Sequence, residues 1–105
     1  MGERTANVVP GDLGLTLAKL ATTIHQRRDA DVQESYTAQL LNDDKDLAIK
    51  KVVEEAAELA LAVKDDDHDH IRYEAADLLY HLLVVLEKTA VSLDELAGEL
   101  DARSK

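Results

Sequence analysis

The chain has 105 residues, one proline, no cysteine, phenylalanine or tryptophan, and a formal net charge of −10 at pH 7. Its length fits one domain, the lack of cysteine excludes disulfides and thiolate metal sites, and the acidic charge argues against binding to nucleic acid or anionic membranes. No apolar run approaches the ~18 residues of a membrane span, and no signal-peptide stretch is recognisable at the start, so we predict a cytoplasmic protein.

The hydrophobic pattern predicts an all-α fold, an antiparallel bundle of four to five helices. Residues 1–10 are expected to form a flexible tail, and residues 11–105 a single all-α domain. Asp12 is a predicted helix N-cap, and Ser92 with Glu95 forms a capping-box pattern. The predicted helices cover about residues 13–28, 36–41, 46–64, 70–89 and 92–103.

The two long helices differ in their apolar pattern. The helix over residues 46–64 has one predicted inward stripe, which comprises Ile49, Val52, Val53, Ala56, Leu59, Ala60 and Val63. At ~100° per residue, Glu55 borders this stripe, with Glu58 further round and Glu54 beyond it. The helix over residues 70–89 is apolar in nearly every direction. Because such a helix is usually buried on most sides, we predict that a second subunit covers it in a homodimer.

Two acidic pairs carry the main functional signal. Glu55 and Glu58 precede the turn Asp65-Asp66-Asp67, and Glu74 and Asp77 follow it at a matched distance. Residues three apart share one helix face, so folding the helices back antiparallel brings the four carboxylates together, ~14 Å from the turn. Carboxylates on a largely buried helix are costly unless they are paired or bind a cation. We therefore predict a site for Mg²⁺ or Mn²⁺, which prefer oxygen ligands.

The lysines near the first acidic pair have two interpretations. Lys45, Lys50 and Lys51 could bind phosphate oxygens at the rim of the site. Alternatively, they are ordinary surface charge, and Lys51 pairs with Glu55 on a solvated helix face. The charges alone do not separate these interpretations.

The histidines are predicted to play lesser roles. His81 follows Asp77 by one turn, and a core or supporting histidine is commoner there than a metal ligand. His68 and His70 lie at the turn and are expected to be solvated or to act as capping groups.

The spacing of the acidic pairs resembles the metal motif of the all-α nucleoside triphosphate pyrophosphohydrolases, the MazG-like superfamily. Within that superfamily, Ser-Tyr-Thr at residues 35–37 and Asp-Leu-Leu-Tyr-His at residues 77–81 resemble the phosphoribosyl-ATP pyrophosphohydrolase family. The Lys-Lys-Val-Val-Glu-Glu string at residues 50–55 fits the same family. The likeness covers about residue 15 to the C-terminus.

This resemblance implies Mg²⁺-dependent hydrolysis of phosphoribosyl-ATP to phosphoribosyl-AMP and pyrophosphate in histidine biosynthesis. Water would attack between the α- and β-phosphates, with Glu54 and Glu55 as catalytic carboxylates and Glu54 orienting or deprotonating that water. The implied metal ligands are Glu55, Glu58, Glu74 and Asp77. The implied substrate contacts are Lys45, Lys50, Lys51, Ser35, Tyr36 and Thr37.

The sequence leaves two alternatives open. The first is a house-cleaning enzyme that hydrolyses aberrant nucleoside triphosphates with the same metal site. The second is a non-enzymatic helical dimerisation module whose acidic residues are surface charge, in which a buried Glu74 should pair with arginine or lysine.

Overall fold

Five α-helices and one 3₁₀ turn make up the described part of this computed structural model, namely residue 5 and residues 7–104. The helices are α1 (Leu13–Gln26), α2 (Tyr36–Asn42), α3 (Lys45–Lys64), α4 (His68–Lys88) and α5 (Leu93–Arg103). No strand occurs among these described residues, so the all-α prediction is confirmed. The predicted tail lies partly outside them, and its described residues belong to no helix.

Helix starts follow local signals in the sequence. The carboxylates of Asp12 and Asp67 each accept a hydrogen bond from the backbone N–H three residues on, at 3.1 and 3.2 Å. Ser92 accepts from the N–H of Glu95 at 3.0 Å, and the Glu95 carboxylate accepts from the N–H of Ser92 at 3.1 Å. These bonds satisfy N–H groups that have no partner within the helix, and they confirm the predicted caps at Asp12 and Ser92.

The helices α3 and α4 form a hairpin and make the most extensive contact of any helix pair described. The turn between them covers residues 65–67, where Asp66 adopts a left-handed backbone with φ of 56°. Aspartate tolerates this conformation better than most residues. Ala48 and Ala62 are buried on α3.

The predicted inward stripe of α3 is wrong in part. Ile49, Val53 and Val63 are 47%, 63% and 54% exposed, and Ala56 and Ala60 are exposed as well. The more buried face of α3 instead comprises Ala48, Lys51, Val52, Glu55, Leu59 and Ala62. Because α3 is apolar around more than one face, its own pattern could not decide which face packs against α4. The second apolar face remains exposed in the single chain.

The core lies where α1 and α2 pack on the C-terminal half of α4. Ile24, Leu40 and Val84 are each 1% exposed and come from these three helices. Partly buried side chains surround this core, namely Leu17, Leu20, Leu47, Tyr80, Leu86 and Leu93. This packing fixes α2 beside the hairpin. None of the described helices is both long enough and apolar enough to cross a membrane.

Candidate active site

Three carboxylates converge inside the α3–α4 hairpin. Glu55 projects from α3, and Glu74 and Asp77 project from α4. Each offers an oxygen atom, and these oxygens all lie within 4.8 Å of one another. Glu74 and Asp77 share a face of α4 because they are three residues apart. The folded-back hairpin therefore brings together three of the four carboxylates that the sequence placed at this level.

The convergence is electrostatically costly, as the pKa of Glu55 shows. Burial, a hydrogen bond to Asp77 and the negative charges of Asp77 and Glu74 raise the pKa of Glu55 to about 7, against a smaller lowering by Lys51. Like charges this close oppose full ionisation. A divalent cation between the oxygens would remove the repulsion, and an all-oxygen donor set suits Mg²⁺ or Mn²⁺. The residues present therefore fit such an ion.

Glu74 is the most buried of the three and pairs with a histidine. Glu74 and His70 are 2% and 7% exposed, and His70 Nε2 lies 3.0 Å from Glu74 Oε2. The prediction that His70 is solvated or a capping group is wrong, because their four-residue spacing places its ring against Glu74 on a covered face. His68 is solvated as predicted, with a side chain that is 89% exposed.

Two other predicted acidic residues lie at the edge of the site. Glu58 follows Glu55 by nearly one turn but is exposed and lies outside the converging group. The side chain of Glu54 is 45% exposed and lies 3.5 Å from Lys51. The predicted pairing of Lys51 was with Glu55, whereas the ion pair formed is with Glu54. The roles of Glu54 and Glu58 stay predictions.

A polar and aromatic cluster joins α2 to the carboxylates. His81 is buried and its Nδ1 donates to the carbonyl oxygen of Asp77 at 2.9 Å. In the neutral ring, Nε2 is then the acceptor, and it lies 3.4 Å from the Tyr36 hydroxyl. The Tyr80 ring meets His81 edge-on, with centroids 4.9 Å apart. The Tyr80 hydroxyl lies 2.5 Å from Thr37 Oγ1.

The negative charges of the carboxylates affect the pKa of Tyr36, which lies on α2. Burial raises its pKa most, Lys51 opposes this, and the negative charges of Glu55 and Asp77 raise the pKa further. The Tyr36 hydroxyl therefore keeps its proton and can donate it in a hydrogen bond. Ser35 serves as the N-cap of α2 and accepts from the backbone N–H of Ala38 at 3.1 Å. Contact of Ser35 and Thr37 with substrate stays a prediction.

The three lysines predicted to bind phosphate differ in their burial and in their distance from the carboxylates. Lys51 is half-buried, and its charge lowers the pKa of both Glu55 and Tyr36. Lys45 begins α3, ten residues before Glu55 and thus ~15 Å away along the helix axis. Lys50 is exposed. Among the described lysines of this set, Lys51 is therefore the best placed for the carboxylate cluster.

The structure has a cavity beside Asp77 that was not predicted from the sequence. It has a volume of about 340 Å³. Its lining is Thr5, Val8, Arg72, Tyr73, Ala76 and Asp77. The side chain of Arg72 donates to the carbonyl oxygen of Thr5 at 3.1 Å, which holds the N-terminal segment against α4. The sequence shows that Tyr73 and Ala76 lie next to the acidic pair. Only the fold shows that the segment before α1 packs beside them.

Comparisons with known proteins identify the family. The sequence profile described as phosphoribosyl-ATP pyrophosphohydrolase matches residues 17–104. The chain belongs to the phosphoribosyl-ATP pyrophosphohydrolase family. It is similar to the phosphoribosyl-ATP pyrophosphatase of Nitrosomonas eutropha, with 42% identity over 83% of this chain and 74% of the relative.

Further relatives are also named phosphoribosyl-ATP pyrophosphatase. One from Rhizobium rhizogenes is 43% identical over 87% of this chain and 88% of the relative. Another from Halobacterium salinarum is 43% identical over 83% of this chain and 95% of the relative. All four acidic residues of the predicted metal motif lie inside the range matched by the family profile. The resemblance found in the sequence is thereby confirmed at the level of the family.

Proposed function

We propose that this protein hydrolyses phosphoribosyl-ATP to phosphoribosyl-AMP and pyrophosphate with the help of Mg²⁺ or Mn²⁺, as a cytoplasmic enzyme of histidine biosynthesis. The observation that carries the proposal is the convergence of the Glu55, Glu74 and Asp77 oxygens within 4.8 Å. Membership of the phosphoribosyl-ATP pyrophosphohydrolase family supports the choice of substrate. The raised pKa of Glu55 supports a site that needs a cation.

Four residues would hold the cation in this proposal. Glu55, Glu74 and Asp77 already converge, and Glu58 would add a fourth carboxylate from the exposed side of α3. A bound cation neutralises triphosphate charge and lowers the pKa of a coordinated water. Because Glu74 is nearly inaccessible to solvent, it would anchor the inner side of the ion, and the substrate would approach from the side of Glu58.

The remaining side chains orient substrate and water. Glu54 is exposed next to the converging carboxylates, where it would orient the attacking water or accept its proton. Lys51, together with Lys50 and Lys45 further along the rim, would stabilise negative charge on the departing pyrophosphate. The protonated Tyr36 hydroxyl would exchange its 3.4 Å contact with His81 Nε2 for a hydrogen bond to a phosphate oxygen. Its neighbours Ser35 and Thr37 would hold the α2 end of the substrate.

The cavity beside Asp77 offers room for the nucleoside part of the substrate. Its volume of about 340 Å³ falls at the lower end of ordinary ligand pockets. Tyr73 supplies a ring that can stack on a nucleobase, and Arg72 supplies a cation for a phosphate group. The triphosphate would then extend from this cavity past Asp77 to the cation site.

An assay of pyrophosphate release with phosphoribosyl-ATP tests the proposal. The full chain is compared with and without Mg²⁺, and with ATP, GTP and deoxynucleoside triphosphates as competing substrates. Rapid, Mg²⁺-dependent release from phosphoribosyl-ATP alone is expected. Equal rates with the free triphosphates would instead favour the house-cleaning alternative.

Two substitutions separate an enzyme from a dimerisation module. Asp77→Asn and Glu74→Gln keep side-chain shape and should reduce turnover at least ~100-fold if they remove metal ligands. Asp101→Asn on exposed α5 is the matched control and should retain full activity. In the non-enzymatic alternative, Glu74 should pair with arginine or lysine, whereas the partner formed is His70. Full activity of Asp77→Asn would refute the site assignment.

We also propose that the enzyme works as a homodimer in which the partner covers the exposed face of α3, whereas the sequence pattern placed the second subunit on the helix over residues 70–89. Ile49, Val53 and Val63 lie along this face with 47–63% of their surface exposed. A contiguous apolar face of this kind is a common mark of a protein interface. Val53→Lys should shift the chain from dimer to monomer in light scattering, whereas Leu15→Lys on exposed α1 should not.

A further inference from the structure

His70 and Glu74 form the most deeply buried contact between two ionisable side chains among the described ion-pair and histidine–carboxylate contacts. The side chains of His70 and Glu74 are 9% and 3% exposed, and the distance between Nε2 and Oε2 is 3.0 Å. Other described ion pairs lie on the surface with at least one side chain more than a third exposed. A contact withdrawn from water in this way is costly unless its geometry is specific. The pair therefore calls for an explanation beyond surface charge.

The direction of the hydrogen bond follows from the chemistry of the two groups. A carboxylate that holds a cation only accepts hydrogen bonds, so in the role argued here His70 Nε2–H is the donor. One oxygen of Glu74 is engaged by His70, and Glu74 also offers an oxygen to the cluster with Glu55 and Asp77. His70 thus fixes the rotation of the Glu74 carboxylate about its last bond. The Glu74 carboxylate is therefore already oriented toward the cluster before a cation binds.

We propose that His70 is a positioning residue that holds Glu74 ready to bind the divalent cation. This role rests on the proposed function, since it requires Glu74 to be a ligand. Groups that hydrogen-bond to metal ligands typically contribute 10–100-fold to metal affinity. His70 itself stands outside the converging group of possible ligands. Its contribution therefore acts through Glu74.

Binding of Mn²⁺ to the metal-free full chain tests this role without any substrate. Calorimetric titration gives the dissociation constant for the wild type and for His70→Leu, which removes the donor at similar volume. His70→Gln is the conservative variant, because its amide nitrogen can reach the position of Nε2. His68→Leu is the matched control, since His68 lies two residues earlier and is 89% exposed.

We expect His70→Leu to bind Mn²⁺ 10–100-fold more weakly, while His70→Gln and His68→Leu stay within about threefold of the wild type. A purely structural role predicts a lower melting temperature of His70→Leu with an unchanged dissociation constant, and that result would overturn the proposal. If His70→Leu does not fold, His70→Asn replaces it, since its shorter amide cannot reach Glu74. Retained Mn²⁺ affinity in His70→Asn would equally overturn the proposal.

Pulsed EPR of bound Mn²⁺ separates positioning from direct ligation. A strong ¹⁴N coupling that is present in the wild type and lost in His70→Gln would make His70 a ligand and overturn the positioning role. If the proposed metal site itself is wrong, the result differs, because the wild type and His68→Leu will then also fail to bind Mn²⁺. Normal binding by the wild type with no effect of any His70 substitution would leave the proposed function intact and remove only the role of His70.

Discussion

The carboxyl groups of Glu55 and Asp77 meet across the α3–α4 hairpin, with oxygen atoms within 4.8 Å of each other. In the metal-free chain, burial and the negative charges of Asp77 and Glu74 make ionisation of Glu55 unfavourable. The same arrangement that would bind a cation therefore lowers the stability of the chain when no cation is bound. Sites that bind ligands often carry such a cost.

Asp77→Asn should stabilise the metal-free protein and abolish its response to metal. Removing one of three close negative charges relieves repulsion worth about 1 kcal/mol, after allowance for partial exposure of the site. We expect the melting temperature in EDTA at pH 8 to rise by about 4–8 °C. Addition of Mg²⁺ should raise the melting temperature of the wild type but not that of Asp77→Asn. A lower melting temperature of the metal-free variant would contradict this account.

Glu87 should contribute stability that is lost in acid. Burial would raise the pKa of Glu87, but hydrogen bonds from Arg28 and His25 lower it overall. Because the pKa is lower in the folded than in the unfolded chain, this stability is present above the ordinary pKa of 4.5 and disappears as the pH falls through the lowered pKa. Glu87→Gln should therefore cost about 1 kcal/mol at pH 7.

Urea unfolding of the wild type and Glu87→Gln at a series of pH values measures this contribution. The difference in the free energy of unfolding should shrink as the pH falls below the ordinary glutamate pKa of 4.5. Glu99→Gln provides a comparison, because its partner Arg103 lies on the same exposed helix. A difference between the wild type and Glu87→Gln that grows in acid would refute the role of Glu87.

Lys88 should stabilise the helix that carries Tyr36. Its Nζ donates to the backbone carbonyl oxygens of Leu40 at 2.8 Å, Leu41 at 3.1 Å and Asp43 at 2.8 Å. The carbonyl groups of Leu40 and Leu41 belong to the last turn of α2, and that of Asp43 follows the helix. A positive charge is favourable near the C-terminus of a helix. Lys88→Met keeps most of the apolar stem and should cost about 2 kcal/mol in the free energy of unfolding.

The same substitution tests whether α2 acts on substrate. If Tyr36 binds phosphate, loosening of α2 by Lys88→Met should raise KM for phosphoribosyl-ATP more than it lowers kcat. Lys64→Met, at the exposed end of α3, should change stability by less than about 0.5 kcal/mol. A kcat effect without a KM effect would argue against the role of α2 in substrate binding.

The parts of the fold that depend on local chemistry were predictable from the sequence. Asp12 and Ser92 cap helices because their side chains bond to backbone N–H groups within three residues. The meeting of Glu55 with Glu74 and Asp77 was also predictable, since a short turn and helical rise fix which levels of a hairpin oppose each other. Both depend only on spacing along the chain.

The parts that depend on which surfaces pack were not predictable. Ile49 and Val53 have the pattern of inward residues, yet the neighbouring face of α3 is the more buried one. His70 lies near a turn of acidic residues, where solvation is the usual outcome, but the folded hairpin buries it against Glu74. The exposed position of Glu58 depends equally on the rotation of α3, which its sequence alone does not set.

The end of α4 predicts a stabilising substitution. Ala90 adopts a left-handed backbone with φ of 60°. The N–H of Val91 donates to the carbonyl of Leu86 at 3.0 Å, and the N–H of Ala90 to that of Glu87 at 3.4 Å. These two bonds define a Schellman motif, whose left-handed position is usually glycine because other residues carry a steric penalty there.

Ala90→Gly should therefore raise the free energy of unfolding by about 1 kcal/mol, because removing Cβ relieves this penalty. Ala97→Gly is the matched control, since Ala97 lies on exposed α5 in ordinary helical geometry and its replacement should cost about 0.5–1 kcal/mol. Urea unfolding of both variants gives the comparison. Opposite signs for the two substitutions would show that the left-handed backbone of Ala90, and not glycine as such, causes the gain, whereas equal destabilisation would refute the assigned conformation.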